Sequence, residues 1–480
     1  MEFPSFDIIL LLASLLFLFF AAANRFTISK PSILTNLPAG PATLPFLGNV
    51  HNLIFSSSDL HRALHRLSLK HGPLFPLKLG QISIVIVSSP ELAKEILLIF
   101  YDCSDVLFAP YGDYWRQVRK ICQTALLGPN RVKSFASIRS QEVANLIESI
   151  RSDSRQVNLT RLIFQMSCGV TSRAAFGKKY KDEEILMSLT TDIGEMFKAM
   201  TRMFGTKLNG VIRGADRVLE DVLDDHRKKR SSGLLDDGTR EDLVDVLLKL
   251  QQSGELEVPL SDSNIKAVLL DMLVAGSMTS SATVGWIMSE IVGNPCVLKR
   301  ARDEVRRVFD TRGKDVDQEM AIRDLHFLKC CIKEAIRLHP PVAMIVRESR
   351  ASCNISGYDL PRNTIVSINA WAMCRDPRYW SDAERFLPER FLYENSVNYA
   401  ETDHFEFIPF GVGRRRCPGI SFAMANIELP VAKLLYHFDW ELPDGKRNQE
   451  LDMAESFGVA VRRKTDLVLV PIPHHPTSTN

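Results

Sequence analysis

The chain has 480 residues, 45% hydrophobic and 24% charged, as expected of a globular protein with a large core. A formal net charge of +2, with only the short basic runs Arg227–Arg230 and Arg414–Arg416, speaks against a nucleic-acid partner. Nine irregularly spaced cysteines without a CxxC pair speak against a secreted disulfide framework and a zinc site, so the thiols are expected reduced.

Ile8 to Ala23 is an unbroken apolar and small-residue run. Ala21–Ala23 would suit the cut of a cleaved signal peptide. Against that, the leader carries Glu2 and Asp7 but no basic residue, and Arg25 and Lys30 come after the run. Positive charge after a span keeps the downstream chain in the cytosol. The expectation is therefore an uncleaved transmembrane anchor over 1–24, with membrane lipid as a partner. Residues 25–49 read as a linker and hinge, because Pro38, Pro41 and Pro45 fix φ and remove donors. An ordinary Pro-rich linker remains the alternative there.

Residues 50–480 read as one domain, mainly α with small β-sheets. Leu77–Val87 is β-branched and divided near Gly80, which predicts a strand pair. Helical periodicity is visible near 140–150, 211–230, 262–293, 295–309, 318–338 and 419–437. From Pro471 onward the sequence reads as a frayed polar tail.

The segment Phe410-Gly411-Val412-Gly413-Arg414-Arg415-Arg416-Cys417-Pro418-Gly419 carries the strongest chemical signal. A lone cysteine is usually a small buried hydrophobe. Here Gly411 and Gly413 allow a sharp turn, and Pro418 suits the first position of the helix after it. A helix N-terminus and nearby arginines stabilise an anion, so the Cys417 pKa is expected to fall and its thiolate to bind a metal.

This segment resembles the haem-binding loop of cytochromes P-450, F-x-x-G-x-R-x-C-x-G, at Phe410, Gly413, Arg415, Cys417 and Gly419. Further motifs match in the family's order: Trp115-x-x-x-Arg119, Glu334-x-x-Arg337 and Pro388-Glu389-Arg390-Phe391. Stretches such as Asn369–Pro377 and Phe405–Pro430 resemble plant microsomal members that oxidise terpenoids, alkaloids and phenolics.

The resemblance implies the cytochrome P-450 fold, with haem b between a long distal helix and the Cys417 loop. Cys417 would ligate the iron. Trp115, Arg119, Arg347 and Arg415 would meet the propionates, and Phe410, Ala275 and Gly276 would also contact the cofactor. Glu334, Arg337 and Arg390 would form a buried charge network. The reaction implied is a monooxygenation of an apolar small molecule with O₂ and NADPH-derived electrons. No G-x-G-x-x-G comes after a strand, so a separate NADPH-dependent flavoprotein reductase is the implied partner. The implied location is the endoplasmic reticulum membrane, single-pass, with the catalytic domain facing the cytosol.

Three departures stand out. The distal pattern A-G-x-D/E-T-T/S keeps Ala275, Gly276 and Thr279 but has Met278 at the acid position. A thioether relays no proton, and the residue reads as helix packing. The stretches near 97–101 and 198–207 are shorter than the family's, where substrate-covering segments stand. These departures motivate two other readings: a haem-thiolate isomerase or dehydratase that uses no O₂, and a haem-binding protein of low activity.

Overall fold

The computed structural model describes residues 38–45, 47–54, 59–80, 82–99, 112–152, 155–177, 208–232, 241–312, 318–349, 351–392 and 404–474. The expected anchor over 1–24, Cys103, and residues 100–101 and 198–207 of the two shortened stretches lie outside these.

The chain forms two compact units. The first takes residues 1–100 and 346–369, the second 101–345 and 370–480. A unit assembled from two distant segments leaves no linker composition at its boundary, so the sequence hides it.

In the first unit, β1 (Leu74–Leu79) and β2 (Ile82–Val87) form the expected antiparallel hairpin, turning at Gly80 with φ of 61°. The sheet also contains β3 (Met344–Glu348) and β4 (Ile365–Asn369), in the order β1-β2-β4-β3. β2 and β4 run parallel, and Ile368, Val366, Val85 and Val87 are buried. Asn369 Nδ2 donates to the His61 carbonyl at 2.9 Å, joining β4 to helix Leu60–His71.

The second unit is helical. Its principal helices are α1 (Asp113–Cys122), α2 (Leu159–Phe176), α3 (Asp262–Gly293), α4 (Pro295–Arg312), α5 (His326–Leu338) and α6 (Ile420–His437). α3 starts at a capping box between Ser261 and Asn264. It is the one described helix long and apolar enough to cross a membrane, but it is a core element. Ile265, Leu269, Val284, Ile287 and Ile291 are fully buried along it.

The expected helix over 318–338 is two, Gln318–Ile322 and α5. The Glu304 carboxylate of α4 accepts from the Phe327 and Leu328 amides, both at 2.9 Å. An acid at those otherwise orphaned N–H groups lets α5 start afresh.

Where a frayed tail is expected from Pro471, residues 471–473 are strand, and residues 475–480 lie outside the described residues. β5 (Phe438–Glu441) pairs with β8 (Val468–Pro473), whose first two residues also pair with Val157–Asn158. Pro471 and Pro473 fall beyond that second neighbour, where a missing N–H costs no ladder bond on that side. Between them lies the short hairpin β6 (Glu455–Ser456) and β7 (Arg462–Arg463).

The described cysteines are all unpaired, as expected. Cys122, Cys168, Cys330, Cys331 and Cys374 are buried, and only Cys296 is exposed. Burial raises the thiols of Cys122 to about 12 and of Cys168 and Cys374 to about 11.

Candidate active site

The segment before α6 makes a tight cradle for sulfur. Gly411 and Gly413 hold φ of 66° and 74°, values that strain any residue with a Cβ. The Cys417 amide then reaches back to the Phe410 carbonyl at 2.9 Å, closing the loop. α6 begins at Ile420, with Gly419 at its N-cap, so Pro418 stands just outside the helix rather than in its first position. A Cβ on Gly419 would come within 3.8 Å of the Cys417 sulfur.

The expected fall in the Cys417 pKa is not what this geometry gives. Burial pushes the thiol up, and this outweighs the Gly419 amide and the charges of Arg119 and Arg416. The sequence shows the charges but not the desolvation. A metal cation at the sulfur would favour the thiolate, since a coordinating thiol is deprotonated outright.

Trp115 and Arg119 share a face of α1, as their spacing requires. The Arg119 guanidinium lies 5.2 Å from the Trp115 ring, and that of Arg415 lies 4.3 Å from the same ring. Arg119 Nη2 donates to the Arg416 carbonyl at 2.6 Å, which ties α1 to the Cys417 loop. Arg416 was not among the expected site residues, because a carbonyl contact has no sequence signature. A cavity of about 370 Å³ adjoins Cys417 on this side, lined in part by Gln123, Leu127, Gly413 and Pro418.

These residues fit haem. Arg119 is half-buried, and its hydrogen bond to Arg416 goes to a carbonyl rather than to a carboxylate. Burial works against its charge, while the nearby sulfur of Cys417 supports it. A thiolate and a carboxylate-bearing cofactor would supply counter-charge to the Arg119 guanidinium. Arg347 lies on β3 in the first unit, where its Nη1 donates to the Val346 carbonyl at 2.7 Å.

On α3, Ala275, Gly276 and Thr279 are half-buried, while Ser277, Met278 and Ser280 are buried. The helix runs through this stretch as uninterrupted α-helix, with no break at the small pair Ala275/Gly276. Gly276 instead admits α2: a Cβ there would lie 3.1 Å from Thr171 Cγ2 and 3.3 Å from its Oγ1. Thr279 Oγ1 donates to the Ala275 carbonyl at 2.7 Å, which leaves its lone pairs as acceptors. Met278 packs with Val274 and Ala460, flanked by Phe164 and Val459. It fills space, as its chemistry suggested.

The charge network forms. Glu334 and Arg337 are both fully buried and joined by two hydrogen bonds of 2.7 and 2.9 Å. Arg390 Nε adds a third at 2.9 Å to Glu334. Arg337 also donates to the carbonyls of Cys374 and Ala383, at 2.7 and 2.8 Å. Such pairing offsets the desolvation of both charges. The network holds the connection from α5 to residues 383–390, not the reacting atoms.

The profile of the cytochrome P-450 family matches residues 38–470. The chain is 44% identical to desmethyl-deoxy-podophyllotoxin synthase of Sinopodophyllum hexandrum, over 99% of this chain and 98% of that one. It is 41% identical to premnaspirodiene oxygenase of Hyoscyamus muticus, over 99% and 100%. A solved zebrafish cytochrome P-450 with abiraterone shares the fold, with a TM-score of 0.73 and 23% identity, covering 87% of this chain and 100% of that one.

Proposed function

We propose that this chain, which belongs to the cytochrome P-450 family, oxidises an apolar small molecule of plant specialised metabolism, with a terpenoid as the substrate class. Members of the family use haem held by a cysteine thiolate and take electrons from a separate reductase. The observation that carries the reading is the Cys417 loop, closed onto Phe410 and faced by the Arg119 and Arg415 pair on Trp115. The terpenoid class is supported by premnaspirodiene oxygenase, whose name is that of a diene oxygenase.

Cys417 would hold the iron, and bound haem would supply activation of O₂. Arg119 and Arg415 would bind its carboxylates, and Trp115 would orient both guanidinium groups. The half-exposed stripe of Ala275 and Thr279 would face the reacting space, and Thr279 Oγ1 would accept a proton-bearing water there. Met278 lies within an apolar cluster, so protons would arrive through water ordered by Thr279. Residues 1–24 would anchor the chain in the endoplasmic reticulum membrane with the catalytic domain in the cytosol.

A second reading keeps the haem but dispenses with O₂: isomerisation or dehydration. It is favoured by the thioether of Met278 at the position of the usual acid. Co-expression with a flavoprotein reductase separates the two. The proposal expects a reduced-CO band at about 450 nm, lost in Cys417→Ala. It also expects NADPH and O₂ consumption that depends on an added terpene hydrocarbon. The same band with product formed without NADPH would overturn the monooxygenase reading in favour of the second. Absence of the band would remove both.

A further inference from the structure

α5 ends on His339, whose ring is buried and used on both edges. Nε2 lies 2.8 Å from Glu290 Oε1 of α3, and Nδ1 lies 2.9 Å from Glu455 Oε1 of β6. Each ring nitrogen thus has a carboxylate oxygen within hydrogen-bond distance. The ring also stacks on Trp286 of α3, with centroids 3.8 Å apart and planes 2° from parallel. Other charges surround the cluster. Arg375 Nη2 is 4.0 Å from Glu455 Oε1, and Arg463 lies 5.7 Å from the Trp286 ring while donating to Ser289 Oγ at 2.9 Å.

The group so held is the hairpin of β6 and β7. Its ladder has two residue pairs, Arg462 with Ser456 and Arg463 with Glu455. An isolated hairpin is marginal at best, and this one is far shorter than usual. Its register is set from outside. Val461 donates to the Pro341 carbonyl at 2.8 Å and accepts from Trp286 Nε1 at 3.1 Å. Those bonds fix the β7 side. On the β6 side, Glu455 ties the hairpin to His339. The turn between them places Val459 and Ala460 against Val274 and Met278. Those two α3 residues immediately precede Ala275 and Thr279, so the tip borders the half-exposed stripe.

We propose that His339 is a positioning residue: bridging Glu290 and Glu455 on the face of Trp286, it fixes the 455–463 hairpin against α3 and thereby sets which apolar ligands fit beside Thr279. The selectivity part rests on the haem-site reading; the clamp itself does not. Many chains would fill such a place with apolar residues, which are often as stable. A directional hydrogen-bonded clamp instead specifies one register for an element too short to hold its own.

The test uses the full-length haem-loaded protein and the variants Glu455→Gln and His339→Gln. Glu455→Gln keeps the shape and removes one charge, so it serves if His339→Gln does not fold. Hydrogen exchange of residues 453–463 is expected to accelerate about tenfold or more, since local opening becomes easier. The reduced-CO band is expected to stay in place. Titrations with limonene and premnaspirodiene, monitored by the haem absorption change, are expected to alter the ratio of their Kd values about fivefold. Wild-type exchange rates in a folded variant would overturn the clamp. Faster exchange with a Kd ratio unchanged to about twofold would overturn the selectivity role. If the wild type consumes no O₂ with either compound, the monooxygenase reading fails, while exchange and binding still judge the clamp.

Discussion

Lys433 of α6 is buried, with its ammonium 4.7 Å from the Phe309 ring and 5.7 Å from that of Tyr436. Burial pushes its pKa down to about 8. In the unfolded chain a lysine holds its proton to about 10.4. Between these values the unfolded state binds more protons, so this residue makes stability rise with pH. Replacing Lys433 by Met is expected to raise stability at pH 7 by about 1–2 kcal/mol, after screening is allowed for, and to flatten that rise. Chemical denaturation of both proteins at pH 7 and above pH 9 measures it; equal pH slopes would contradict the argument. Residues differ in how visible such roles are. Cys417, Arg415, Glu334 and Arg337 were legible because fixed spacings carry their chemistry. Lys433, His339 and Glu455 were not, because each acquires its role from a partner distant in sequence. The Cys417 pKa failed for a related reason: charges can be read from letters, but solvent exclusion is a property of the packed site.

The long elements of the second unit were the most legible, since apolar periodicity over many residues has one good solution. α3 keeps the expected bounds at Asp262 and Gly293. What the pattern could not give was the reason for a small residue inside it. Gly276 lets α2 and α3 approach. Gly276→Ala would press a methyl group onto Thr171 at 3.1 Å. Overpacking of this kind costs about 1–3 kcal/mol, against up to about 1 kcal/mol gained from helix propensity. The expected outcome is a net loss in the wild type and a net gain in a Thr171→Ala background. A double-mutant cycle on thermal stability reads the change of sign. The same effect in both backgrounds would mean that Thr171 is not the obstacle. Short strands such as β6, β7 and β8 escaped the sequence altogether, because two to six residues supply too little periodicity and prolines argue against pairing.

For the whole molecule, α3 is a core helix of its own unit, so the membrane reading rests on residues 1–24 and not on the described fold. Removal of residues 1–24 is expected to move the protein from the membrane pellet to the soluble fraction with its reduced-CO spectrum intact. Retention in the pellet after high-salt and detergent-free washing would mean that another segment binds lipid. The division into two units was hidden because one of them is built from sequence segments separated by 245 residues, 101 to 345. The distribution of thiols has a consequence for how such a molecule ages. Monooxygenase cycles that miss their substrate release peroxide, which attacks thiolates rather than thiols. Cys122, Cys168 and Cys374 hold their protons to about 11 or 12, so they stay in the resistant form at any physiological pH. Among the described cysteines, oxidant damage would instead collect at Cys296, exposed at the start of α4. The core is thus chemically durable toward the by-product of its own proposed reaction, with the wear directed to the surface.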